Sequence, residues 1–418
     1  MWRCCLKLRR PILGFGLNGS GYCKRWFSSN SLRFAALWGN GDYGRLGLSS
    51  LMSQWVPTVC KALERENPCA IACGGAHTLF LTDTGRVFAT GLNDFGQLGI
   101  SAAVSHALEP LEVVSIPEKA VQVSAGSHHS AAITVDGAVY MWGNNSSGQL
   151  GLGKKAMNII STPTRVERLI GFNIRKISLG SEHSVAITDD GHVLSWGAGG
   201  SGRLGHRHQP SMLGFFGNMS EYTPRLIKTF EGTKIKRIAA GLLHSACIDE
   251  NGTVYTFGEE ASDKLGFGDK KNSTSPSRIN EIPCSQDLAC GGYHTCVVTS
   301  GGEVYTWGTN ENGCLGLGNP NPVYSPTRVE GPLLGLPTSE VSCGWKHTAA
   351  ISGGNIFTWG WGGSHGTFSE DGHSSGGQLG HGNDFDYFEP TRVDFMKNAK
   401  ALHVSCGFNH TGAIFEYA

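Results

Sequence analysis

The chain has 418 residues, and its 34 basic residues balance its 34 acidic residues exactly in number, so the formal net charge is zero. About one residue in seven is Gly, 60 in all, and only 16% of the residues are charged, which indicates many tight turns. The apolar stretch from Pro11 to Leu17 is far shorter than the roughly 20 residues that a membrane span needs. We therefore expect a soluble protein that is rich in turns.

The first 33 residues differ in composition from the rest of the chain. They hold seven Lys or Arg and no acidic residue, and the first acid is Asp42. An Arg-rich, acid-free leader is typical of an organellar transit peptide. Arg25, Phe27 and Ser28 resemble a mitochondrial processing pattern. We therefore predict a transit peptide over residues 1–27, extending at most to 33, cleavage between Phe27 and Ser28, and a mature protein in the mitochondrial matrix.

The alternative interpretation of the leader is a retained basic tail that binds nucleic acid, as in a nuclear chromatin binder. Removing residues 1–27 takes away six basic residues and no acidic ones. The remaining 28 basic and 34 acidic residues give a net charge of −6. A mature chain with this balance lacks the overall basic footprint of a nucleic-acid binder, although a local patch and direct RNA contact stay open.

Seven copies of a Gly-x-x-His-Ser/Thr motif recur along the chain, at spacings of 50 to 63 residues. Their histidines are His77, His129, His183, His244, His294, His347 and His410. Such a period indicates a repeat architecture. A catalytic histidine is needed once and with particular partners. We therefore interpret these seven as structural side chains that bond to a neighbouring backbone, and we predict no catalytic residue.

Six repeats hold an aromatic-Gly pair, such as Trp142 and Gly143, and Thr90-Gly91 is the weak seventh copy. Each repeat usually also holds a Gly-x-Leu-Gly segment, as at Gly148, and always a proline that opens a short apolar run, as at Pro163. Alternating and β-branched runs predict four short strands per unit. The pair Asp136 and Gly137 predicts a hairpin turn, and proline suits an outer strand. The seven units predict an all-β, seven-bladed β-propeller with four-stranded blades over residues 34–418.

The two chain ends complement each other. The last Gly-x-x-His copy is followed by inner-strand sequence alone, whereas the first aromatic-Gly pair, at Trp38, has no such copy before it. We therefore predict that one blade combines residues 34 to about 60 with residues from about 400 to 417, so that N- and C-terminal strands close the ring.

The thirteen cysteines include no Cys-x-x-Cys pair, so no zinc ribbon or thioredoxin-like site is indicated, and we predict no metal and no cofactor. Four of them share one repeat position: Cys73, Cys290, Cys343 and Cys406. The other copies carry Ala125, Leu179 and Ala240 there. This interchange is typical of small buried hydrophobic side chains.

The order and period of these motifs resemble the regulator of chromosome condensation repeat family, over about Phe34 to Ala418. With the leader, the chain resembles the plant mitochondrial branch of that family, which implies a non-enzymatic scaffold that supports splicing of organellar transcripts and respiratory complex I biogenesis. The partners would be proteins or ribonucleoproteins, including splicing factors, bound by a monomer. The alternative that the resemblance implies is guanine nucleotide exchange on a small or organellar GTPase.

The family's ultraviolet photoreceptors also resemble this chain, but they carry Trp in the Gly-Trp-x-His-Thr motif of consecutive blades. Here Trp345 occupies that position, and the other six copies hold Gly75, Ser127, Ser181, Leu242, Gly292 and Phe408. The chain also lacks a Gly-x-x-x-x-Gly-Lys-Ser/Thr phosphate loop. We therefore expect neither a light sensor nor a GTPase.

Binding is expected where one copy departs from the repeat. Two connections between third and fourth strands are expanded, one between Gly205 and Pro224 and one between Gly360 and Gly377. Both should emerge on the face of the Gly-x-x-His turns, roughly 150° apart around a seven-fold ring. The candidate partner-binding residues are His206, Arg207, His208, Phe215, Phe216, Trp361, His365 and Phe368. The alternative is a plain surface insertion.

Overall fold

The computed structural model describes residues 32–206, 220–259, 273–333, 335–363 and 376–417. The predicted transit peptide and its processing residues Arg25, Phe27 and Ser28 lie outside them. The described residues form 28 strands. They are β1 Arg33–Gly39, β2 Gln54–Val59, β3 Pro68–Cys73, β4 His77–Thr82, β5 Val87–Leu92, β6 His106–Glu112, β7 Ala120–Ala125, β8 His129–Thr134, β9 Val139–Asn144, β10 Ile159–Arg165, β11 Ile174–Leu179, β12 His183–Thr188, β13 Val193–Gly197, β14 Glu221–Leu226, β15 Ile235–Ala240, β16 His244–Asp249, β17 Val254–Gly258, β18 Ser273–Ile279, β19 Ser285–Cys290, β20 His294–Thr299, β21 Val304–Gly308, β22 Val323–Arg328, β23 Thr338–Cys343, β24 His347–Ser352, β25 Asn355–Gly360, β26 Tyr387–Arg392, β27 Ala399–Cys406 and β28 His410–Tyr417.

Helical structure in the described ranges consists of short 3-10 turns: Asp42–Gly44, Lys61–Leu63, Glu167–Leu169, Gly200–Gly202, Lys228–Phe230 and Gly331–Leu333. Within the same ranges, no helix has the length and apolar character required to cross a membrane.

The strands form seven antiparallel four-stranded sheets, which are the predicted blades. Blades 1 to 6 follow chain order: β3 to β6, β7 to β10, β11 to β14, β15 to β18, β19 to β22, and β23 to β26. Blade 7 has the order β2-β1-β28-β27. The fold prediction is therefore confirmed: the protein is an all-β seven-bladed propeller, and strands from both chain ends share the closing blade.

The closing blade joins the two chain ends along a full strand pair. β1 pairs with β28 without a register shift, from Arg33 opposite Glu416 to Gly39 opposite His410. β1 then pairs outward with β2, and β28 pairs inward with β27. Each terminal segment thus supplies half of the blade, and neither half has a complete sheet without the other.

The inner hairpins form where the sequence predicts them. Gly137 and Gly191 follow Asp136 and Asp190 and adopt φ values of +78° and +84°, which a residue without a Cβ accepts at little cost. The predicted proline position needs a correction, however. Proline lies inside the outer strand, as the fourth residue of β14 at Pro224, instead of opening it. The pairing of β13 with β14 shifts register between Ser195 and Gly197, so the missing N–H falls at an irregular part of the ladder.

The hydrophobic core lies between neighbouring blades. In one such layer, Trp142 of blade 2 is fully buried and packs with Leu81 and Leu98 of blade 1. Gly99 makes this approach possible, because a Cβ there would lie 2.8 Å from Nε1 of Trp142. Trp38, Trp196, Trp307 and Trp359 are buried like Trp142. The aromatic residues of the aromatic-Gly pairs therefore belong to the core.

Candidate functional site: the histidine-turn face

One face of the ring carries both the Gly-x-x-His turns and the connections between third and fourth strands. In blade 3, His183 at the start of the second strand lies opposite Gly197 at the end of the third. In blade 6, His347 lies opposite Gly360 in the same way. We call this side the histidine-turn face. Both expanded connections leave their blades on it, as the sequence predicts.

The seven repeat histidines form a closed circle of hydrogen bonds that links every blade to the next. Each Nε2 lies 2.8 to 3.4 Å from the hydroxyl oxygen of the Ser or Thr that follows the histidine of the next blade. His410 of blade 7 contacts Thr78 of blade 1 at 2.9 Å, which closes the circle. The sequence predicts that these histidines bond to a neighbouring backbone group. The structure corrects it to a side-chain hydroxyl.

Backbone carbonyl groups accept the protons of these hydroxyls, and this fixes the position of the proton on the histidine, as the contact of His77 shows. Ser130, the partner of His77, donates its hydroxyl proton to the carbonyl oxygen of Gln97 at 2.7 Å. The same carbonyl accepts the indole N–H of Trp142 at 2.9 Å. Because the hydroxyl proton is used there, Nε2 of His77 must donate to Ser130, which assigns the Nε2–H tautomer. The histidine, the hydroxyl and the tryptophan therefore act together at this blade interface, and the indole N–H groups of Trp196 and Trp359 make the same bond at two others.

Burial keeps these imidazoles neutral. Desolvation lowers the pKa of His77, His129, His294 and His347 from 6.5 to about 3. It also lowers the pKa values of His183 and His410 well below the ordinary value. A buried imidazole that stays neutral across physiological pH neither gains nor loses a proton there. These side chains link each blade to the next and are uncharged at neutral pH.

The centre of the face is narrow. First-strand ends and the first Gly of each turn surround it, and backbone N–H groups bridge blades, as from Ser127 to the carbonyl oxygen of Gly180 at 3.2 Å. The central cavity has a volume of about 80 Å³, whereas small-molecule sites usually enclose roughly 300 to 1,000 Å³. Cys73, Cys290 and Cys406 are buried at its wall, and Cys343 is half-buried. The predicted burial is confirmed for the first three. The geometry favours a partner that covers the face over a small ligand inside it.

The seven-fold pattern of this face breaks at blades 6 and 7. Trp345 is half-buried at the rim of the central cavity, and its ring centroid lies 6.3 Å from that of Phe408 on the next blade. Trp361 packs edge-on against Trp345, with centroids 6.0 Å apart. Lys346 lies over the Trp345 ring at 5.2 Å and is 3.7 Å from a carboxylate oxygen of Glu311. We call these five residues the aromatic rim cluster.

The structure describes two of the eight predicted partner-binding residues. His206 is half-buried, and its Nε2 lies 2.9 Å from Oγ of Ser195. Trp361 is only 7% exposed and supports Trp345 from below. The other six lie outside the described residues: Arg207, His208, Phe215, Phe216, His365 and Phe368. Their proposed contacts stay predictions.

A cleft on the same face lies beside blade 3, whose third connection is expanded. It has a volume of about 300 Å³ and is lined by Asn145, Lys154, Asn158 and Tyr222, among others. Lys154 lies over the Tyr222 ring at 5.7 Å. The cleft offers amide, ammonium and aromatic groups between blades 2 and 3, on the opposite side of the ring from the aromatic rim cluster.

A polar belt that the repeat motifs do not predict lines the central channel. Arg237 and Asp287 approach to 3.7 Å, and His403 lies 3.5 Å from Glu340. Burial raises the pKa values of both carboxyl groups, that of Glu340 strongly, and lowers the pKa of His403 to about 4. Aligning the repeats would have found the signal, because the third residue of the first strand is polar in five consecutive blades: Gln122, Lys176, Arg237, Asp287 and Glu340.

Comparison with known proteins shows the family to which this chain belongs. The chain matches the family model described as the RCC1-like domain over residues 35–413. It is 31% identical over 382 residues to the ultraviolet-B receptor UVR8 of Arabidopsis thaliana, across 91% of this chain and 70% of the receptor. The chain therefore belongs to the RCC1-like domain family.

Individual relatives differ in what surrounds this domain. Human E3 ubiquitin-protein ligase HERC2 is 31% identical over 248 residues, which are 59% of this chain and only 5% of the ligase. Among solved structures, Prp20p of Saccharomyces cerevisiae has a TM-score of 0.81 at 22% identity and covers 95% of each chain. Human WBSCR16 has a TM-score of 0.78 at 24% identity, over 91% of this chain and 98% of that one. At such identities the two structures show the shared fold alone.

Proposed function

We propose that this protein is a non-enzymatic binding protein whose partner docks on the histidine-turn face, across the aromatic rim cluster. The observation that carries the proposal is the break of symmetry at blades 6 and 7. The five other copies place Gly, Ser or Leu where these blades place Trp345 and Phe408. A large aromatic residue at a cavity rim adds nothing that the ring needs, since those five blades close without one.

The chemistry of the cluster suits a protein surface. Tryptophan and phenylalanine anchor interfaces because they bury large apolar areas with few rotatable bonds. Trp361 supports the Trp345 ring, because its buried side chain packs edge-on against that ring and its backbone N–H donates to the carbonyl oxygen of Lys346 at 2.9 Å. Glu311, whose side chain is 80% exposed, and Lys346 add one charge of each sign. The partner would present an apolar patch with both charges at its edge.

The cellular role that we propose is a scaffold of the mitochondrial matrix that supports splicing of organellar transcripts and biogenesis of respiratory complex I. Two observations support it: the acid-free basic leader, and the resemblance of the repeats and leader together to the plant mitochondrial branch of the family. The partners would then be proteins or ribonucleoproteins, with splicing factors among them. Sequencing the N-terminus of the protein purified from cells tests the location, because import predicts a start at Ser28.

The docking proposal is tested by quantitative affinity capture from mitochondria with a double variant, Trp345→Ser and Phe408→Ser. Serine occupies the same position in two other blades, at Ser127 and Ser181, so the ring should still fold. We expect the captured partners to fall at least ~10-fold, as loss of interface anchors of about 2 kcal/mol implies. The control is Val114→Ser, at a side chain that is 81% exposed. Equal capture by the double variant and the wild type would contradict the docking site.

The second candidate function is guanine nucleotide exchange on a small GTPase of the same compartment. Membership of the RCC1-like domain family favours it, and Prp20p, which shares the fold, has known binding properties toward Gsp1p and histones. The test is release of a fluorescent guanine nucleotide from candidate GTPases with catalytic amounts of this protein. Acceleration would support exchange, whereas stoichiometric binding without acceleration supports the scaffold.

A further inference from the structure

One blade interface holds a cluster of soft metal ligands. A ring nitrogen of His294 and the sulfur atoms of Cys296 and Cys343 all lie within 4.8 Å of one another. His294 and Cys296 belong to β20 of blade 5, on the same side of the strand, and Cys343 ends β23 of blade 6. Cys296 is fully buried and Cys343 borders the central cavity. Three ligating side chains thus converge from two blades.

The repeat explains why this cluster forms here. At each interface, the residue two positions after the histidine faces the last residue of the next blade's first strand. The residues two positions after the histidines are Leu79, Ala131, Val185, Ala246, Cys296, Ala349 and Gly412. The next blade's first strand ends, respectively, in Ala125, Leu179, Ala240, Cys290, Cys343, Cys406 and Cys73. Only the interface of blades 5 and 6 therefore combines two thiols with its histidine.

The closing interface confirms this spacing independently. A Cβ placed on Gly412, two positions after His410, would lie 3.2 Å from Sγ of Cys73 on the next blade. The same two repeat positions are occupied by Cys296 and Cys343 at the interface of blades 5 and 6. The closeness of Cys296 and Cys343 therefore follows from the blade geometry.

The hydrogen-bond circle uses one ring nitrogen of His294 and leaves a lone pair on the other, as it does at His77 and His347. Its Nε2 lies 2.8 Å from Oγ1 of Thr348, and that hydroxyl donates to the carbonyl oxygen of Cys314 at 2.9 Å. Nε2 therefore carries the proton and donates it to Thr348. Nδ1 holds the lone pair, is buried, and has no hydrogen-bond partner among the described residues. Ligating histidines are typically oriented through a hydrogen bond from their other ring nitrogen.

We propose that His294, Cys296 and Cys343 form a buried Cu(I) site between blades 5 and 6. Two thiolates and one imidazole suit Cu(I) and Zn²⁺ and disfavour hard cations such as Mg²⁺ and Ca²⁺. Three ligands suit Cu(I), whereas Zn²⁺ in structural sites takes four. Binding releases both thiol protons to solvent and involves no electron transfer, because the ion arrives and remains as Cu(I). Cys343 borders the central cavity, which provides the entry path.

The test titrates the full-length, fully reduced protein with Cu(I) under anaerobic conditions, in competition with a colorimetric Cu(I) chelator. We expect the wild type to hold one Cu(I) more per chain than Cys296→Ala or Cys343→Ala, with an ultraviolet copper–thiolate band that both variants lose. Their affinity at this site should fall by more than the ~10- to 100-fold that outer-shell changes cause. Alanine occupies these positions in other blades, at Ala131 and Ala125 for example, so both variants should fold.

Cys406→Ala and Cys290→Ala are the matched controls, because their interfaces combine a histidine with a single thiol. Both should bind Cu(I) as the wild type does. Thr348 is a positioning residue, so Thr348→Val should weaken binding about 10- to 100-fold, and Thr348→Ser should restore it. Equal binding by Cys296→Ala and the wild type, or an equal loss in Cys406→Ala, would overturn the site. Retention of Zn²⁺ in preference to Cu(I) by the same three residues would overturn the assignment of the metal.

Discussion

The buried histidine circle predicts that acid unfolds this propeller. Six of its histidines have pKa values far below 6.5 because they are fully buried: His77, His129, His183, His294, His347 and His410. In the unfolded chain each regains an ordinary pKa and binds a proton as the pH falls below about 6.5. The folded state binds almost none until the pH nears 3. The contribution of these neutral histidines to the free energy of unfolding is therefore fully present above pH 6.5 and is lost as the pH falls.

The size of the effect follows from linkage. Between pH 7 and pH 5, a histidine with unfolded and folded pKa values of 6.5 and about 3 loses about 2 kcal/mol of its contribution to folding. The four residues with a folded pKa of about 3, His77, His129, His294 and His347, together lose on the order of 8 kcal/mol. That loss is comparable to the whole unfolding free energy of a typical domain, and the lowered pKa values of His183 and His410 add to it in the same direction. Asp287 and Glu340 have the opposite effect, because burial raises their pKa values. The folded state binds their protons more readily than the unfolded chain does, so these two groups add to the unfolding free energy as the pH falls. Two opposing groups reduce the loss but do not cancel six.

The measurement is urea-induced unfolding at pH 7, 6 and 5 at constant ionic strength, followed by tryptophan fluorescence. We expect the urea midpoint to fall steeply and unfolding at pH 5.5 to take up several protons, counted with a pH indicator in weak buffer. The control variant is His192→Asn, at an exposed hairpin residue, which should leave the pH dependence unchanged. An unfolding free energy that is the same at pH 7 and pH 5 would refute the reasoning.

Three further predictions concern the ring itself. Deleting residues 399–418 removes β27 and β28 and should abolish the cooperative thermal transition, and an unchanged midpoint would show that they do not close the ring. Gly99→Ala should lower the unfolding free energy by ~1 to 3 kcal/mol more than Gly232→Ala does. Both glycines have positive φ, but only at Gly99 would the new Cβ meet Trp142. Equal urea midpoints for the two variants would contradict this. Trp142→Phe should cost about 1 kcal/mol or more, since it removes the 2.9 Å indole bond to Gln97, and an unaltered midpoint would argue against that bond.

Much of the architecture was predictable from sequence, because the same motifs occur in the same order in seven units. A histidine, an aromatic-Gly pair and a proline at fixed spacing identify four strands and their order, and the incomplete copies at Trp38 and His410 identify the closing blade. The face of the expanded connections was also predictable, since antiparallel strands return alternate connections to the same side. The expected partners of these connections stay predictions.

What the sequence by itself determined is the ring, its closure and the structural role of the seven histidines. What only the tertiary structure decided is which side chains meet across blades. The hydroxyl partner of each histidine, the packing of Trp361 against Trp345, and the convergence of Cys343 on Cys296 all join residues about 50 or more positions apart or on separate loops. Repeat spacing fixes the order of strands within a blade, but these contacts depend on how each blade is positioned against the next. That relative position is set only when all the blades pack together in the closed ring.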